Sequence, residues 1–217
     1  MSYESRTIRD AIEEVNRTYF LPAIQREFVW DTYRVERLFD SVMGDYPISS
    51  FLFWKIREEN KKDWVSYEFI RNFDQENPHN IEAGLSGINR DIYLVLDGQQ
   101  RLTALNIGLR GSYRYFYYRW RKTELYLNLL KPLGRNEEDP EELEFQFEFR
   151  ESSQPSNPDN ELWYKVGRIL DFMNSEYAKS DLKNELDKLD EQQQENAKIL
   201  VGELHNTIHI YKLVNYY

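Results

Sequence analysis

The segment DGQQRLTAL, residues 97–105, follows directly on the apolar run IYLVL at residues 92–96. The apolar run predicts a strand, and the residues from Gln99 to about Leu109 predict a helix. Asp97 and Gly98 alone can turn the chain between them, so two glutamines and an arginine are more polar residues than the connection needs. This composition indicates a binding site between a strand and a helix.

The chemistry of this turn favours an anion. The first turn of a helix presents free backbone N–H groups and the positive end of the helix dipole. Gly98 lets the backbone approach an anion closely, and Arg101 offers a forked cation for phosphate oxygens. Further polar groups come from Gln99, Gln100 and Thr103. In the alternative interpretation Asp97 caps the helix, Arg101 pairs with a carboxylate and the glutamines are solvated, and the spacing leaves both open.

A second Gln-Arg pair lies in FLPAIQREFVW, residues 20–30. Gln25 and Arg26 occupy an extended segment just before a predicted helix, with Trp30 close by. We expect this pair and the pair at 100–101 to converge on one ligand. The structural alternative is that Arg26 stacks on Trp30 or bridges two elements.

The composition limits the class of protein. With 217 residues, 41% hydrophobic and 15% aromatic, the chain can bury the core of one domain with a helical appendage. No run of about 18 apolar residues predicts a membrane span, and the polar start lacks a secretory signal. The absence of cysteine excludes disulfides and thiol nucleophiles. We therefore expect a soluble, cytoplasmic protein, and the net charge of −10 argues against indiscriminate nucleic-acid binding.

Local patterns predict the remaining elements. Thr7 and Asp31 are suited to cap two helices, and Gly44 to end the second. Polar residues, asparagine-proline and glycine mark 57–90 as a long insertion or loop. Strands are predicted in three segments: 48–56, 124–130 and 144–150, of which the last two are expected to pair with each other.

Three stretches in this order resemble one family: FLPAIQREFVW, LFDSVMGDYPISSFLFW and LVLDGQQRLTAL. They resemble the N-terminal domain of GmrSD-type, modification-dependent restriction proteins, which is similar in fold to the ParB and sulfiredoxin superfamily. The resemblance covers roughly residues 5–150. It implies an α+β fold with a ParB/sulfiredoxin-like mixed sheet and packed helices in residues 1–155. Residues 156–217 would form a helical extension that is incomplete at its C-terminus.

The resemblance also implies the roles of the site residues. The nucleotide-hydrolysing block of the family maps onto the catalytic candidates Asp97, Gln99, Gln100 and Arg101. The nucleotide-binding candidates are Gln25, Arg26, Gly98, Arg101 and Thr103. Asp97 is the candidate for orienting water or a hydrated Mg²⁺ that accompanies the nucleoside triphosphate. The family often has an aromatic residue before the upstream Gln-Arg pair, where this chain has Ile24.

The function implied is that of a sensor and NTPase in a modification-dependent restriction or phage-defence system, coupling nucleotide turnover to DNA recognition. The alternative is a catalytically silent domain that binds DNA or a partner and uses the turn structurally. Partners would be a nucleoside triphosphate, DNA including modified DNA, and an HNH-type nuclease domain or subunit outside this chain; a homo-oligomer is allowed and a membrane is not expected. The histidines are His79, His205 and His209, none in an HNH pattern, and the last two are expected as a surface pair. The chain lacks the cysteine of sulfiredoxins and the Walker sequence of P-loop ATPases.

The stretch LRGSYRYFYYRWRK, residues 109–122, alternates cations with aromatic residues. Such a mixture suits a nucleic-acid groove, where cations contact phosphates and rings stack on bases. It equally suits a helix in which Phe116 and Trp120 face the core and the arginines extend outward. The candidate DNA-binding residues are Arg110, Arg114, Arg119, Arg121 and Lys122.

Overall fold

The computed structural model describes residues 3–24, 26–131, 143–154 and 161–216. Within these residues the chain forms two mixed sheets, with helices packed against them and a long helix near the C-terminal end. The predicted α+β class, with a mixed sheet, packed helices and a C-terminal helical part, is therefore confirmed.

The first sheet has six strands in the order β1-β11-β3-β6-β2-β4. Strand β6 pairs in parallel with β2 and antiparallel with β3, so it lies inside the sheet and ends at Asp97. The register with β3 shifts between Leu52 and Phe53, directly opposite the end of β6. The strands are β1 (Tyr3–Thr7), β2 (Tyr19–Pro22), β3 (Phe51–Ile56), β4 (Ser66–Tyr67), β6 (Ile92–Asp97) and β11 (Lys212–Tyr216).

The second sheet is built around a long central strand, β8, which pairs with β7, β9 and β10. Its strands are β5 (Asn72–Asp74), β7 (Ser112–Tyr117), β8 (Arg119–Asn128), β9 (Phe147–Arg150) and β10 (Trp163–Lys165). The predicted pairing of 124–130 with 144–150 is confirmed by the antiparallel register from Glu124 opposite Arg150 to Leu127 opposite Phe147.

Six α-helices lie within the described residues: α1 (Ile8–Glu14), α2 (Thr32–Met43), α3 (Gln99–Arg110), α4 (Ser175–Asp181), α5 (Lys183–Leu186) and α6 (Glu191–His209). Short 3₁₀ turns occupy Glu58–Asp63, Leu85–Gly87 and Val166–Asp171. Both predicted caps are confirmed. The Thr7 hydroxyl accepts a hydrogen bond from the Asp10 amide at 3.0 Å, and the Asp31 carboxylate accepts one from the Arg34 amide at 2.9 Å.

Helix α3 is the central helix of the molecule. It contacts α1, α2, β7 and β8, and each residue from Leu102 to Leu109 is buried. A helix buried on all sides must be apolar around its whole circumference, and this one departs from that rule at Thr103 and Asn106. Only the two ends of α3 are accessible, and the N-terminal end is the DGQQR turn.

Two segments differ from expectation. Residues 57–90 are not a free loop, because they contain β4 and β5 and bury Phe69 and Phe73 in the core. The helical interpretation of 109–122 is wrong beyond Arg110: the chain forms the β7–β8 hairpin, in which Phe116 is 57% exposed and Trp120 37%. Alternating arginine and aromatic residues are compatible with both a helix and a strand. In this chain the pairing of β7 with β8 favours the strand.

The C-terminal part contributes to both sheets. Besides helices α4 to α6, residues 161–216 supply β10 to the second sheet and β11 to the first, where β11 lies between β1 and β3. The proposed domain boundary at residue 155 lies outside the described residues. The division into two domains stays a prediction.

Candidate functional site

Glycine is required at the start of the DGQQR turn for two reasons. Gly98 has φ 86°, in the left-handed region that other residues enter at a cost. A Cβ atom at this position would also lie 2.4 Å from Cδ1 of Phe51. The absence of a side chain at Gly98 therefore lets the ring of Phe51 in β3 lie close to the main chain of the turn.

The N-terminus of α3 has no side-chain cap. Asp97 does not fill this role, so the interpretation of Asp97 as the helix cap is wrong. The first main-chain hydrogen bond of the helix runs from Leu102 N–H to Gly98 O at 2.9 Å. Within the described residues, the N–H groups of Gln99, Gln100 and Arg101 have no acceptor. The turn thus retains free donors at the positive end of a twelve-residue helix.

Arg101 is engaged with the chain just before and at the start of β3. Its guanidinium donates to the main-chain oxygens of Ile48 and Ser50, the second at 3.0 Å, and lies 4.9 Å from the ring centre of Phe51. It also pairs with Asp97 at 3.4 Å, and its side chain is only 16% exposed. Burial lowers the pKa of Arg101, and the Asp97 carboxylate opposes that shift. Arg101 therefore joins the turn to β3, and a phosphate contact from it stays a prediction.

Gln100 joins the turn to the upstream Gln-Arg segment. Its amide oxygen accepts from Val29 N–H at 3.0 Å, and its amide nitrogen donates to Glu27 O at 2.9 Å. These two bonds hold the main chain on either side of Phe28, which is buried. The segments that contain the two Gln-Arg pairs consequently meet at Gln100.

Arg26 lies one residue before this junction. It is exposed and forms no ion pair, hydrogen bond or ring contact within the described part of the chain. The alternative in which Arg26 stacks on Trp30 is therefore not what the structure has. Gln25 lies outside the described residues. A common pocket for the side chains of the two pairs stays a prediction.

The other two predicted turn residues support its geometry. The amide of Gln99 donates to Val95 O at 2.8 Å. Thr103 is buried, and its hydroxyl donates to Gln99 O at 2.8 Å. In this conformation both side chains bond to main-chain oxygens, Gln99 to that of Val95 in β6 and Thr103 to that of Gln99 in the turn.

Carboxylates and main-chain oxygens engage most of the candidate DNA-binding cations. Arg114 pairs with Asp74 at 2.6 Å and Glu76 at 2.9 Å, and Arg119 pairs with Glu151 at 2.6 Å. Arg110 donates to Ile12 O at 2.9 Å. The other two cations lie on β8: Arg121 stacks 5.2 Å from the ring of Tyr117, and Lys122 is exposed. These contacts within the chain do not test whether the same residues bind DNA, so DNA binding by them stays a prediction.

The two C-terminal histidines are not the surface pair that the sequence suggested. His205 is 5% exposed, and its ring stacks on that of His209 with 4.0 Å between centres. Each ring uses Nε2 toward a main-chain oxygen, His205 to Phe172 and His209 to Ile169. Burial lowers the pKa of His209, and His205 and Arg9 lower it further. The pair is part of the packing of α6.

No group of three histidine, cysteine or acidic side chains within the described residues forms a metal site. However, a Mg²⁺ ion that accompanies a nucleotide is not usually held by protein side chains alone. The ion usually keeps several waters and takes one or two carboxylates together with substrate phosphates. Asp97, whose side chain is 69% exposed at the uncapped helix end, fits that mode.

The fold and the turn define a mixed α/β domain with a candidate site between a strand and a helix. The model of the GmrSD restriction endonuclease N-terminal domain matches residues 8–217, and the chain belongs to this family. It is therefore a component of a restriction or phage-defence system. The chain is also similar to an uncharacterized protein of Methanocaldococcus jannaschii, with 34% identity over 106 residues. That match covers 48% of this chain but only 17% of the relative. No helix in the described ranges is long and apolar enough to cross a membrane.

Proposed function

We propose that this chain is the nucleotide-hydrolysing sensor domain of a modification-dependent restriction system and couples nucleoside triphosphate turnover to DNA recognition. The single observation that carries the proposal is the uncapped N-terminus of α3, where free N–H groups lie beside the exposed carboxylate of Asp97. Family membership supports the restriction context.

The free donors of the turn suit a phosphate group. The N–H groups of Gln99, Gln100 and Arg101 would bind phosphate oxygens, assisted by the helix dipole. Phosphoryl transfer needs little covalent help from the protein, so positioning and charge neutralisation are sufficient roles for these residues. Mg²⁺ bound with the nucleotide would supply further neutralisation of the phosphates, and Asp97 would hold its hydration shell or orient the attacking water.

The two arginines differ in their unused donors. Arg101 already donates to Ile48 O and Ser50 O, whereas Arg26 is exposed and has no partner in the described residues. Arg26 is thus the arginine with its whole guanidinium available to the phosphates. Gln100 would keep it near the turn by holding the main chain at Glu27.

A second function is favoured by a different observation. Arg101 and Gly98 make contacts with β3 that would stabilise the fold in the absence of any nucleotide. A domain that uses the turn only in this way would bind DNA or a partner nuclease without hydrolysis. Nucleotide binding discriminates between the two functions.

The test is phosphate release from each Mg²⁺-nucleoside triphosphate, with and without modified DNA. Asp97→Ala should lower kcat more than it raises KM. Arg26→Ala should weaken nucleotide binding roughly ten- to a hundredfold, the effect of losing one charge-assisted hydrogen bond of about 1.5–3 kcal/mol. Arg34→Ala is the matched control, because Arg34 is an exposed arginine of α2 whose side chain has no partner in the described residues. Equal phosphate release by the wild type and all variants, with unchanged circular dichroism, would exclude the hydrolytic function.

A further inference from the structure

A pocket of about 540 Å³ lies on the same helix as the turn but is lined by none of the turn residues. It opens between the C-terminal half of α3, the chain after α1 and residues 68–81. Pockets of roughly 300–1,000 Å³ are typical of small-molecule sites. The residues that matter for its chemistry are Asn16, Phe69, Arg71, Asn106 and Arg110.

Asn106 brings an unused acceptor to this pocket. The residue is 1% exposed, and its amide nitrogen donates to Ile70 O at 3.0 Å. That bond fixes the orientation of the amide, and its oxygen Oδ1 is buried without a hydrogen-bond partner in the described residues. Buried polar atoms are normally paired, because an unpaired one retains its full desolvation cost. An unpaired acceptor on a residue that lines a pocket is suited to a ligand that donates an N–H or O–H group.

Two arginines give the pocket a site for an anion. Arg71 donates through Nε to the main-chain oxygen of Arg110. Burial lowers the pKa of Arg110, and the neighbouring Arg71 lowers it further. Within the described residues each guanidinium makes one hydrogen bond, Arg71 to Arg110 O and Arg110 to Ile12 O. Both guanidinium groups therefore retain N–H donors that a ligand could use.

Two of the other titratable side chains that line the pocket are paired with residues outside it. Asp74 is paired with Arg114 at 2.6 Å, and His79 is paired with Glu27 at 2.5 Å. Glu68 is the remaining carboxylate that lines the pocket. The buried ring of Phe69 is held in place by Asn16, which accepts from Phe69 N–H at 2.7 Å and donates to Phe69 O at 2.9 Å. The pocket therefore combines one unpaired acceptor with two cations.

We propose that this pocket binds a nucleotide whose base carries an amino group. The amino group would donate to Asn106 Oδ1, and the phosphate would contact Arg71 and Arg110. The nucleotide is either free or part of a DNA strand, in which case the base leaves the stack to enter the pocket. The inference deepens the proposed function and rests on it where DNA is concerned, since it gives DNA recognition a place apart from the hydrolytic turn.

The first experiment compares cytidine and uridine monophosphate, which differ at one amino group. We expect the cytidine nucleotide to bind roughly three- to tenfold more tightly, the effect of one hydrogen bond to a buried acceptor. Nuclear magnetic resonance should show a shift of the Asn106 side-chain amide and none of Gln100. Equal affinities of the two nucleotides, or shifts confined to Gln99 and Gln100, would overturn the proposal.

Variants test the two halves of the pocket separately. Arg71→Ala should weaken both nucleotides about tenfold or more, whereas Arg90→Ala, at an exposed arginine outside the pocket, should weaken neither. Asn106→Leu should abolish the preference for cytidine. If this variant unfolds, Arg71→Ala still decides: an effect no larger than that of Arg90→Ala contradicts the proposal.

Oligonucleotides distinguish the sources. A single-stranded DNA with one cytosine among thymines that shifts Asn106 more than the free nucleotide does identifies a DNA strand as the ligand, and the reverse order identifies a free nucleotide. Phosphate release from Mg²⁺-nucleoside triphosphate is measured in parallel on the same protein preparations. A cytidine preference without hydrolysis would refute only the hydrolytic function, and hydrolysis without a cytidine preference would refute only the pocket.

Discussion

Gln100 in the first turn of α3 is hydrogen-bonded to the main chain at Val29, 71 residues earlier. With the second bond, to Glu27 O, one side-chain amide uses both its donor and its acceptor to hold the extended segment that carries Arg26. A bond of this kind fixes the position of a strand-like segment that belongs to no sheet. The geometry of the candidate phosphate site therefore depends on Gln100 even if its amide never touches the nucleotide.

We predict that Gln100→Ala loosens residues 26–30 and lowers kcat/KM for the nucleotide. Two hydrogen bonds of about 0.5–1.5 kcal/mol each are lost. Hydrogen exchange of the Val29 amide should rise, and phosphate release should fall. Gln75→Ala is the control, because Gln75 makes one comparable bond, from Phe116 N–H, away from the turn. Unchanged exchange at Val29 in the Gln100 variant would contradict the prediction.

Arg101→Ala should destabilise the fold as well as any nucleotide complex. The substitution removes hydrogen bonds to Ile48 O and Ser50 O from a side chain that is only 16% exposed. Charge-assisted bonds of this type contribute about 1.5–3 kcal/mol. The midpoint of urea unfolding should therefore fall for Arg101→Ala and stay unchanged for Arg26→Ala. Equal midpoints for the two variants would show that the contacts of Arg101 contribute no stability.

Gly98→Ala should destabilise the protein by about 1–3 kcal/mol, since alanine at φ 86° is strained. The added Cβ would in addition lie 2.4 Å from the ring of Phe51. Gly84→Ala provides the matched control, because Gly84 has φ −78° and no atom within 4 Å of the added Cβ. Thermal unfolding measures both variants. Equal melting temperatures would show that the turn relaxes without cost.

Glu36 should make stability depend on pH. Burial, assisted by the nearby carboxylates of Glu148 and Asp31, raises the pKa of Glu36 from 4.5 to about 7 against the opposing hydrogen bond from Phe149 N–H. The folded state thus binds the proton more tightly than the unfolded state, so stability falls as the pH rises from about 4.5 to about 7.

Glu36→Gln keeps the acceptor for Phe149 and removes the titration. Relative to the wild type, the variant should gain stability between pH 5 and pH 8, measured as the shift in the urea midpoint. Glu195→Gln, at an exposed glutamate of α6, should show no such gain. Parallel pH profiles for the wild type and Glu36→Gln would exclude the raised pKa as the cause.

The sequence predicted correctly those elements that depend only on residues close to one another in the chain. The caps at Thr7 and Asp31 need only a side chain and an amide three residues later, and the run of residues 92–96 needs only its apolar character. Arg101 is different. Its main-chain acceptors at Ile48 and Ser50 carry no signature in the sequence, because every residue has a carbonyl group.

Two other features show why the rest could not be predicted. The turn of the β7–β8 hairpin is made by Tyr118 with φ 58°, where glycine or asparagine would have been the usual signal. His205 and His209 are polar by type, yet α6 buries the face that carries His205. In both cases the tertiary contacts override the preference of the single residue.

We predict that this chain alone does not cleave DNA. A metal-activated water requires several ligands around the ion, and no such group exists within the described residues. In the histidine pair both Nε2 atoms contact main-chain oxygens, and Nδ1 of His209 lies 3.2 Å from the Arg9 guanidinium. One ring nitrogen, Nδ1 of His205, remains without a partner in this part of the structure. A single buried nitrogen is too few for a catalytic ion.

The measurement is incubation of the purified chain with modified and unmodified plasmid, Mg²⁺ or Mn²⁺, and nucleotide. Intact plasmid is the expected result under each condition, while phosphate release in the same samples shows that the protein is active. Specific cleavage that disappears in the His205→Ala, His209→Ala double variant, with its unfolding midpoint checked beside the wild type, would contradict the prediction. Because both rings pack within α6, such a result would also require the helix to open and release them from Phe172 and Ile169 before a metal could bind.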